Sequence, residues 1–326
     1  MKILLIQLKR AGDVLLTTPV PAMLKKRFPD ARIDFLVEKP FAPALENHPD
    51  IFRIQIYDRS HVIDSIRRIR AEHYDYIFDF LSSPRSALLV FLSGAARTFG
   101  WRVPFWGRFY GQAVSRPKGS KPVIGGKCTL VEPLLGLVPE WTERKLYLTE
   151  DERSWAEKAM PDAASAVGII PTHRKESRRW RQDHFARLAV LLAQQGCKVW
   201  IFWGPGEKVV AEQIKKTVSA VDLIPEASLR QMAALLERCK FVVTNDNGPM
   251  HLAVAVGTPT VTIYGPTDPV CWNPGGPQHM AAQAQDVPCL GCNLNSCPFE
   301  HECMTHLTPD MVFNLTRQLI PRGVSG

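Results

Sequence analysis

The stretch FVVTNDNGPMHLAVAVGTPTVTIYG, residues 241–265, contains two strand-like runs separated by a helix-like segment. FVVTND at 241–246 and TVTIYG at 260–265 are rich in β-branched and aromatic residues, and the segment 249–256 suits a helix. A strand, a crossover helix and a second strand form a parallel unit with helices on the faces of the sheet. The stretch therefore predicts a doubly wound α/β domain in the C-terminal half.

The same alternation extends over the rest of the chain. Further strand-like runs lie at 2–8, 32–37, 52–57, 74–80, 166–172, 198–203 and 221–225. Helix-like segments lie at 14–28, 60–71, 84–93, 183–195, 207–218 and 229–238. A final helix is predicted from Pro309 to about Ile320, because Thr308 suits an N-cap and proline suits the first helical position.

Two Rossmann-like doubly wound domains that face a central cleft are the predicted α/β fold. A chain of 326 residues has room for two domains of roughly 100–200 residues each. The polar segment TEDERSWAEKAMPDAAS precedes the strand-like run at 166–172, so we place the domains at 1–158 and 159–326. Ligands in such sheets bind beyond the carboxyl ends of the strands, which directs attention to the turns there.

Composition and charge limit the class of function. Hydrophobic residues make up 45% and charged residues 22% of the chain, which excludes a disordered protein. The whole net charge of +8 is in residues 1–150, which carry 23 basic and 15 acidic side chains, whereas 151–326 carry 17 of each. This asymmetry predicts that the first half meets an anionic partner. A solvated basic face that aids solubility is the alternative.

No segment of the sequence reads as a membrane span or as a secretory leader. The longest uncharged stretch, 247–267, is interrupted by Pro249, Gly257 and Pro259, whereas a span needs about 20 continuous helical residues. The N-terminal apolar run ends at Lys9, too early for a signal peptide. We expect a cytoplasmic protein whose cysteines are reduced unless they bind metal.

The turn after the first strand carries an acidic side chain. The segment KRAGD at 9–13 does not match G-x-G-x-x-G, so a nicotinamide or flavin cofactor is not expected. Asp13 follows the strand and precedes a helix-like segment. It suits either the N-cap of that helix or a catalytic carboxylate at the edge of the sheet.

The turn after 241–246 has the features of an anion site. Gly248 and Pro249 open a helix whose first amides are free to bind a phosphate. Asp246 stands at the end of the strand, and His251 lies five residues further on. A histidine satisfied by a backbone carbonyl is the alternative for His251.

Two other turns of the second half add charged side chains. PTHRKESRRWRQDHF provides cations suited to a diphosphate, namely His173, Arg174, Lys175, Arg178, Arg179 and Arg181. In WGPGEK, Glu207 is placed to accept hydrogen bonds from ribose hydroxyls. An exposed basic loop and an ordinary first-turn glutamate are the alternatives.

Half of the eight cysteines form one cluster. Cys289, Cys292, Cys297 and Cys303 give the spacing C-x2-C-x4-C-x5-C. Four thiolates so close in sequence could surround one zinc ion or iron–sulfur centre as a structural site. Reduced thiols or local disulfides are the alternative, since zinc ribbons have a longer gap between paired cysteines.

Together, GDVLLTTPV, RRW, WGPGE and NDNGPMHLAVAVGTPTVTIYGPTDP resemble glycosyltransferase family 9, the ADP-heptose:lipopolysaccharide heptosyltransferases. The turn GPTDPVCWNPGG is most similar to members that add the second or third inner-core heptose. The resemblance implies a GT-B fold with an N-terminal acceptor-binding domain and a C-terminal nucleotide-sugar-binding domain. It also implies inverting transfer from ADP-heptose without a required metal, so that a zinc ion in the cysteine cluster would be structural.

The resemblance also implies roles for individual residues. Asp13 matches the general base, and Glu207 matches the acid that contacts the nucleoside. Arg178 stands where the family often has a lysine that binds the donor diphosphate. The D-x-G-x-x-H donor motif is matched by Asp246, Gly248 and His251, with Asn247 at a position where threonine or serine is common.

The basic first half then has a partner, the phosphorylated lipopolysaccharide inner core on an anionic inner-membrane surface. From composition we expect acceptor contacts from Arg67, Arg68, Arg70 and Arg102. Three alternatives stay open. The chain could use another nucleotide sugar or acceptor, could be a sugar-nucleotide epimerase, or could be a basic nucleic-acid-binding protein with a four-cysteine metal site.

Overall fold

The structure is a computed structural model that describes residues 1–117, 122–136, 143–161 and 163–320. The chain divides into two compact units, Met1–Tyr147 and Leu148–Gly326. Each unit is built on one six-stranded sheet in which every strand pairing is parallel. The prediction of two doubly wound α/β domains is confirmed.

The sheet of the first unit has the strand order β3-β2-β1-β4-β5-β6. Its strands are β1 (Lys2–Ile6), β2 (Arg32–Glu38), β3 (Arg53–Tyr57), β4 (Tyr76–Asp79), β5 (Arg97–Trp101) and β6 (Gln112–Val114). Its α-helices are α1 (Ala11–Leu15), α2 (Pro19–Arg27), α3 (Val62–Ala71), α4 (Pro84–Phe91), α5 (Val123–Cys128) and α6 (Glu132–Leu135). Short 3-10 helices lie at Lys39–Ala44, Trp106–Phe109 and Thr129–Val131. The central strand β1 is almost wholly buried, as expected for a strand with helices on both faces.

The sheet of the second unit has the order β12-β11-β10-β7-β8-β9. Its strands are β7 (Ala166–Ile170), β8 (Lys198–Ile201), β9 (Val221–Leu223), β10 (Phe241–Asn245), β11 (Thr260–Tyr264) and β12 (His279–Gln283). Its α-helices are α7 (Glu150–Ala159), α8 (Gln182–Gln194), α9 (Lys208–Thr217), α10 (Leu229–Glu237), α11 (Gly248–Ala255), α12 (Pro269–Trp272), α13 (Glu302–Thr305) and α14 (Pro309–Thr316). Short 3-10 helices lie at Ala163–Ser165 and Glu176–Arg178. The order reverses between β7 and β10, and the turns after these two strands carry Arg178 and Asp246.

The units divide between 147 and 148, earlier than the predicted boundary at 158/159, because the intervening segment is helix α7 of the second unit. Thr149 and Glu152 form a capping box at its start, a signal readable in the sequence TEDE. Arg153 then pairs with Glu237 of α10 at 2.9 Å, and Arg230 of α10 pairs with Glu152. These contacts attach the helix to the C-terminal unit.

Two other predicted helices differ in extent from the structure. The predicted helix 14–28 is two helices, α1 and α2, because Pro19 and Pro21 provide no amide donors to continue α1. Helix α14 begins as predicted, with the Thr308 hydroxyl accepting from the Met311 amide, but ends at Thr316. No helix in the described part of the chain is long and apolar enough to cross a membrane.

The helices of the first unit return from the carboxyl edge of the sheet to its amino edge. Glu72, the residue after α3, pairs with Lys2, Arg32 and Arg53. These three are the first residues of β1, β2 and β3. The C-terminal end of α3 therefore lies at the amino edge, opposite the turns that follow the strands.

Candidate active site

Asp13 lies in the first turn of α1, beyond the carboxyl end of β1. The N-cap of this helix is Arg10, and no side chain caps it, so the N-cap interpretation of Asp13 is wrong. The carboxylate is 40% exposed and lies 3.6 Å from the ammonium of Lys127. It is therefore accessible to an acceptor hydroxyl while one buried cation faces it.

Lys127 is a functional candidate that sequence analysis missed. Its side chain is only 8% exposed, and its ammonium donates to Gln7 Oε1 at 2.7 Å. Burial lowers the pKa of Lys127, and the Asp13 carboxylate opposes that shift. No motif marks Lys127, because α5 brings it to β1 from 120 residues further along the chain.

The predicted acceptor arginines do not share one location. Arg67, Arg68 and Arg70 are on α3, and Arg70 is two residues from Glu72 at the amino edge. Arg68 donates to the Ile56 carbonyl at 2.9 Å. Arg102, by contrast, directly follows β5 at the carboxyl edge, as Asp13 follows β1. Arg70 is thus separated from Arg102, because a helix of ten residues carries its last turn toward the opposite edge, and the acceptor role of the four arginines stays a prediction.

Arg178 and Asp246 meet in the second unit, as predicted from their turns. Arg178 Nη1 lies 3.6 Å from Asp246 Oδ2, and both side chains are largely buried. Burial raises the pKa of Asp246, against the opposing effects of a Thr267 hydrogen bond and of Arg178. Burial also lowers the pKa of Arg178. Within the described residues Arg178 Nε is buried without a hydrogen-bond partner, so one donor of the guanidinium is not used by the protein.

Helix α11 begins directly after this pair. Asn247 is its N-cap, accepting from the Met250 amide at 3.0 Å and donating to the Thr172 carbonyl at 2.9 Å. A Cβ at Gly248 would meet nothing within 4 Å, so the first turn is open to a ligand. His251 is buried on the same helix, with its ring 6.5 Å from that of Trp272. The residues of the predicted donor motif thus lie together where β10 ends and α11 begins.

Glu207 occupies a separate part of the same sheet edge. Its carboxylate accepts from the Thr172 hydroxyl at 2.7 Å and from the Gly204 amide at 3.0 Å. It lines a cavity of about 830 Å³ together with Arg179, Arg181 and His301. The cavity is large enough for a nucleoside. Arg178, Asp246 and His251 do not line it.

His173 supports the loop between these two groups. Its Nδ1 accepts from the Lys175 amide at 2.9 Å. Burial lowers the pKa of His173 to about 4, against the opposing effect of hydrogen bonds to the backbone. The imidazole is therefore neutral near pH 7, and the positive charge of this loop comes from its arginines and Lys175.

Side-chain bonds to the main chain hold the turns of the second unit together. Asn245 donates to the carbonyls of Pro171 and Thr172 and accepts from the Trp180 amide at 2.9 Å. Ser177 donates to the carbonyls of Leu294 and Asn295, each at 3.1 Å. The turns after β7 and β10 and the segment around 294 are thus joined.

The cysteine segment packs on these turns. Arg178 Nη2 donates to Asn293 Oδ1 at 2.7 Å, and the Asn293 amide donates to the Pro266 carbonyl at 2.6 Å. Cys303 is buried beside Gly265, whereas Cys292 is exposed. Among the described residues no three potential ligands are arranged to hold a metal ion, and the structural metal site at the cluster stays a prediction.

Two doubly wound units on parallel six-stranded sheets, with charged side chains beyond the carboxyl ends of the strands, have the GT-B fold of the solved heptosyltransferases. The family model for glycosyltransferase family 9 (heptosyltransferase) matches residues 62–302. The chain belongs to glycosyltransferase family 9, the heptosyltransferases, and is a glycosyltransferase enzyme.

Curated relatives and a solved structure agree with this membership. Lipopolysaccharide heptosyltransferase 3 of Escherichia coli K12 is 28% identical over 81% of this chain and 82% of its own length. Lipopolysaccharide heptosyltransferase 1 of the same strain is 27% identical over 91% of this chain and 97% of its own length. The solved E. coli ADP-heptose lps heptosyltransferase II superposes with a TM-score of 0.81 at 22% identity, over 98% of both chains. The family match favours the transferase over the epimerase and nucleic-acid-binding alternatives.

Proposed function

We propose that this enzyme transfers L-glycero-D-manno-heptose from ADP-heptose to the inner core of lipopolysaccharide, with inversion at the anomeric carbon. The observation that carries the donor half is the buried Arg178–Asp246 pair directly before helix α11. A nucleotide diphosphate is the anion that such a site suits, because a guanidinium and helix amides bind phosphate oxygens. The named donors and acceptors of the relatives support the choice of substrates.

The reaction assigns a task to each group. Asp13 takes the proton of the acceptor hydroxyl as its oxygen forms a bond to the anomeric carbon. The bond between that carbon and the ADP oxygen breaks, and the electron pair leaves with ADP. Arg178 and the amides from Gly248 onward stabilise the developing negative charge, while Glu207 binds the ribose. The step uses no metal, because the chain itself supplies this positive charge.

In this proposal the first unit supplies the base, Asp13, and the second unit binds the donor. We assign Lys127 to hold the carboxylate in its orientation, through the contact of 3.6 Å between the two side chains. The proposal also places the enzyme in the cytoplasm, acting on an acceptor carried by the anionic inner-membrane surface. A second- or third-heptose acceptor is preferred because of the turn GPTDPVCWNPGG.

The direct test is a transfer assay with ADP-heptose and inner-core acceptors that differ by one heptose. We expect acceptor-dependent release of ADP and one added heptose by mass spectrometry. ADP-mannose and UDP-sugars serve as control donors that test the specificity for ADP-heptose. Conversion of the donor without an acceptor would indicate an epimerase. Failure to transfer a sugar from ADP-heptose to any of the acceptors would contradict the proposal.

The acceptor side yields a second test that separates Arg102 from the arginines of α3. Arg102→Glu should raise KM for a phosphorylated acceptor by about tenfold, since charge-assisted contacts are worth about 1.5–3 kcal/mol. The donor KM should not change. Arg67→Glu/Arg70→Glu, tested in parallel, should have the smaller effect because Arg70 is at the other edge of the sheet. The reverse ranking would restore α3 as the acceptor surface.

A further inference from the structure

An exposed apolar surface on the first unit is not used by the proposed chemistry. Its members, called here the aromatic patch, are 41%, 60%, 74% and 37% exposed: Leu88, Phe91, Phe105 and Trp106. They lie on α4 and on the adjoining turn and 3-10 helix 106–109. Phe109 connects the two elements, with its ring centre 5.0 Å from that of Phe91 and 5.5 Å from that of Trp106. The side chains therefore form one continuous surface.

The backbone holds Phe105 outward in an uncommon conformation. Its φ is 60° and its ψ is −56°, and the Trp106 amide donates to the Pro104 carbonyl at 2.7 Å. These values describe a γ-turn with a left-handed central residue, which is rare for a bulky side chain. Burying this ring would be the ordinary outcome for a phenylalanine, yet it is 74% exposed. Local strain that projects an apolar ring into solvent indicates a contact surface.

Arginines border the aromatic patch. Arg85 lies one helical turn before Leu88, Arg102 precedes the 3-10 helix 106–109, and Arg108 lies within it; all three are exposed. The guanidinium carbon of Arg108 lies 6.0 Å from the centre of the Phe105 ring. An apolar centre with a cationic rim matches an anionic lipid surface, because rings enter the headgroup region while guanidinium groups bind phosphates.

We propose that the aromatic patch docks the enzyme on an anionic bilayer, with Phe91, Phe105 and Trp106 entering the headgroup layer. The inference rests on the proposed function for its lipid-linked acceptor. Charge favours a bilayer over a protein partner, since residues 1–150, nearly all of which belong to this unit, carry the entire net charge of +8. Arg102 borders the patch and is also the arginine at the carboxyl edge. Docking would therefore bring a membrane-held acceptor to the same edge as Asp13.

Flotation with vesicles tests the docking. We expect the wild-type enzyme to float with vesicles of phosphatidylglycerol and phosphatidylethanolamine, and much less with phosphatidylcholine. Binding should fall as salt rises. Phe91→Ser/Phe105→Ser should lower the vesicle partition coefficient at least about tenfold, and Arg108→Glu about fivefold. Brominated lipids should quench the fluorescence of Trp106. This quenching is measured as the difference in fluorescence between the wild type and Trp106→Phe.

Phe52→Ser is the matched control, because Phe52 is 67% exposed on the same unit but lies outside the aromatic patch. It should bind vesicles as the wild type does. Circular dichroism and Tm verify folding, and the single variant Phe105→Ser provides a milder change if the double variant unfolds. Equal binding by the patch variants and the wild type, or no preference for anionic vesicles, would overturn the docking proposal.

Activity separates this proposal from the proposed function. With a deacylated, water-soluble acceptor the patch variants should keep the wild-type kcat/KM, whereas with acceptor embedded in vesicles they should lose about tenfold or more. Failure of the wild-type enzyme to transfer heptose to either acceptor would refute the proposed function. The flotation result would still decide the docking.

Discussion

Replacing Asp13 with Asn should lower kcat by about 10²–10⁴-fold, because the amide cannot take the proton of the acceptor hydroxyl. Binding of ADP should not change, since Asp13 belongs to the first unit and makes no contact required for the donor. The substitution keeps the size of the side chain next to Lys127. Steady-state kinetics with saturating substrates and titration of ADP by calorimetry measure the two effects.

Asp30→Asn is the matched control, because Asp30 is an exposed aspartate of the same unit. It should leave kcat at the wild-type value. Near-normal turnover in Asp13→Asn would remove the carboxylate from the mechanism. A similar decrease in kcat for Lys127→Met, with unchanged Tm and unchanged ADP affinity, would support the positioning role of the ammonium.

Replacing Arg178 with Met should weaken ADP binding by about 10- to 150-fold, the equivalent of about 1.5–3 kcal/mol for a charge-assisted contact. Arg178→Lys should recover part of the affinity, since it restores the charge but not two separate donors. The measurement is calorimetric titration of ADP, with Arg187→Met on an exposed face of α8 as control. Wild-type affinity in Arg178→Met would place the diphosphate elsewhere.

The same substitution should change the pH dependence of stability. Burial raises the pKa of Asp246, so the folded state holds a proton that the unfolded state releases once the pH exceeds 3.8. The free energy of unfolding therefore falls as the pH rises from 3.8 to the raised pKa of Asp246. Removal of Arg178 raises this pKa further, so the pH range over which stability falls becomes wider. The Tm of Arg178→Met should recover toward the wild-type value as the pH is lowered from neutral. A pH-independent difference in Tm would contradict this assignment.

The sequence predicted those parts of the site that depend on position along a strand. Parallel strands end at one edge, so the turns that follow β7 and β10 had to be neighbours, and Arg178 does lie beside Asp246. The two doubly wound sheets followed from the same alternation of strands and helices. β5, β6 and β12 escaped prediction because RTFGW, QAV and HMAAQ are short and carry no long apolar run.

Other features depended on contacts that no local pattern encodes. Lys127 reaches Asp13 only because α5 brings its side chain to Gln7, the residue after β1. Arg70 looked equivalent to Arg102 by composition, yet the direction of α3 carries it to the opposite edge. Helix α7 could have been found, since TEDE is a capping box, but its polar composition resembled a linker.

The hydrogen bonds that join the turns of the second unit determine which of these positions tolerate substitution. Asn245 and Ser177 bind carbonyl oxygens of Pro171, Thr172, Leu294 and Asn295, and not their side chains. Every amino acid offers the same carbonyl. Random substitution at these four acceptor positions therefore leaves the bonds intact, while a single change at Asn245 removes three at once. In a saturation library, changes at Leu294 and Asn295 should therefore be tolerated better than changes at Asn245, whereas Thr172 is constrained separately by the bond from its hydroxyl to Glu207.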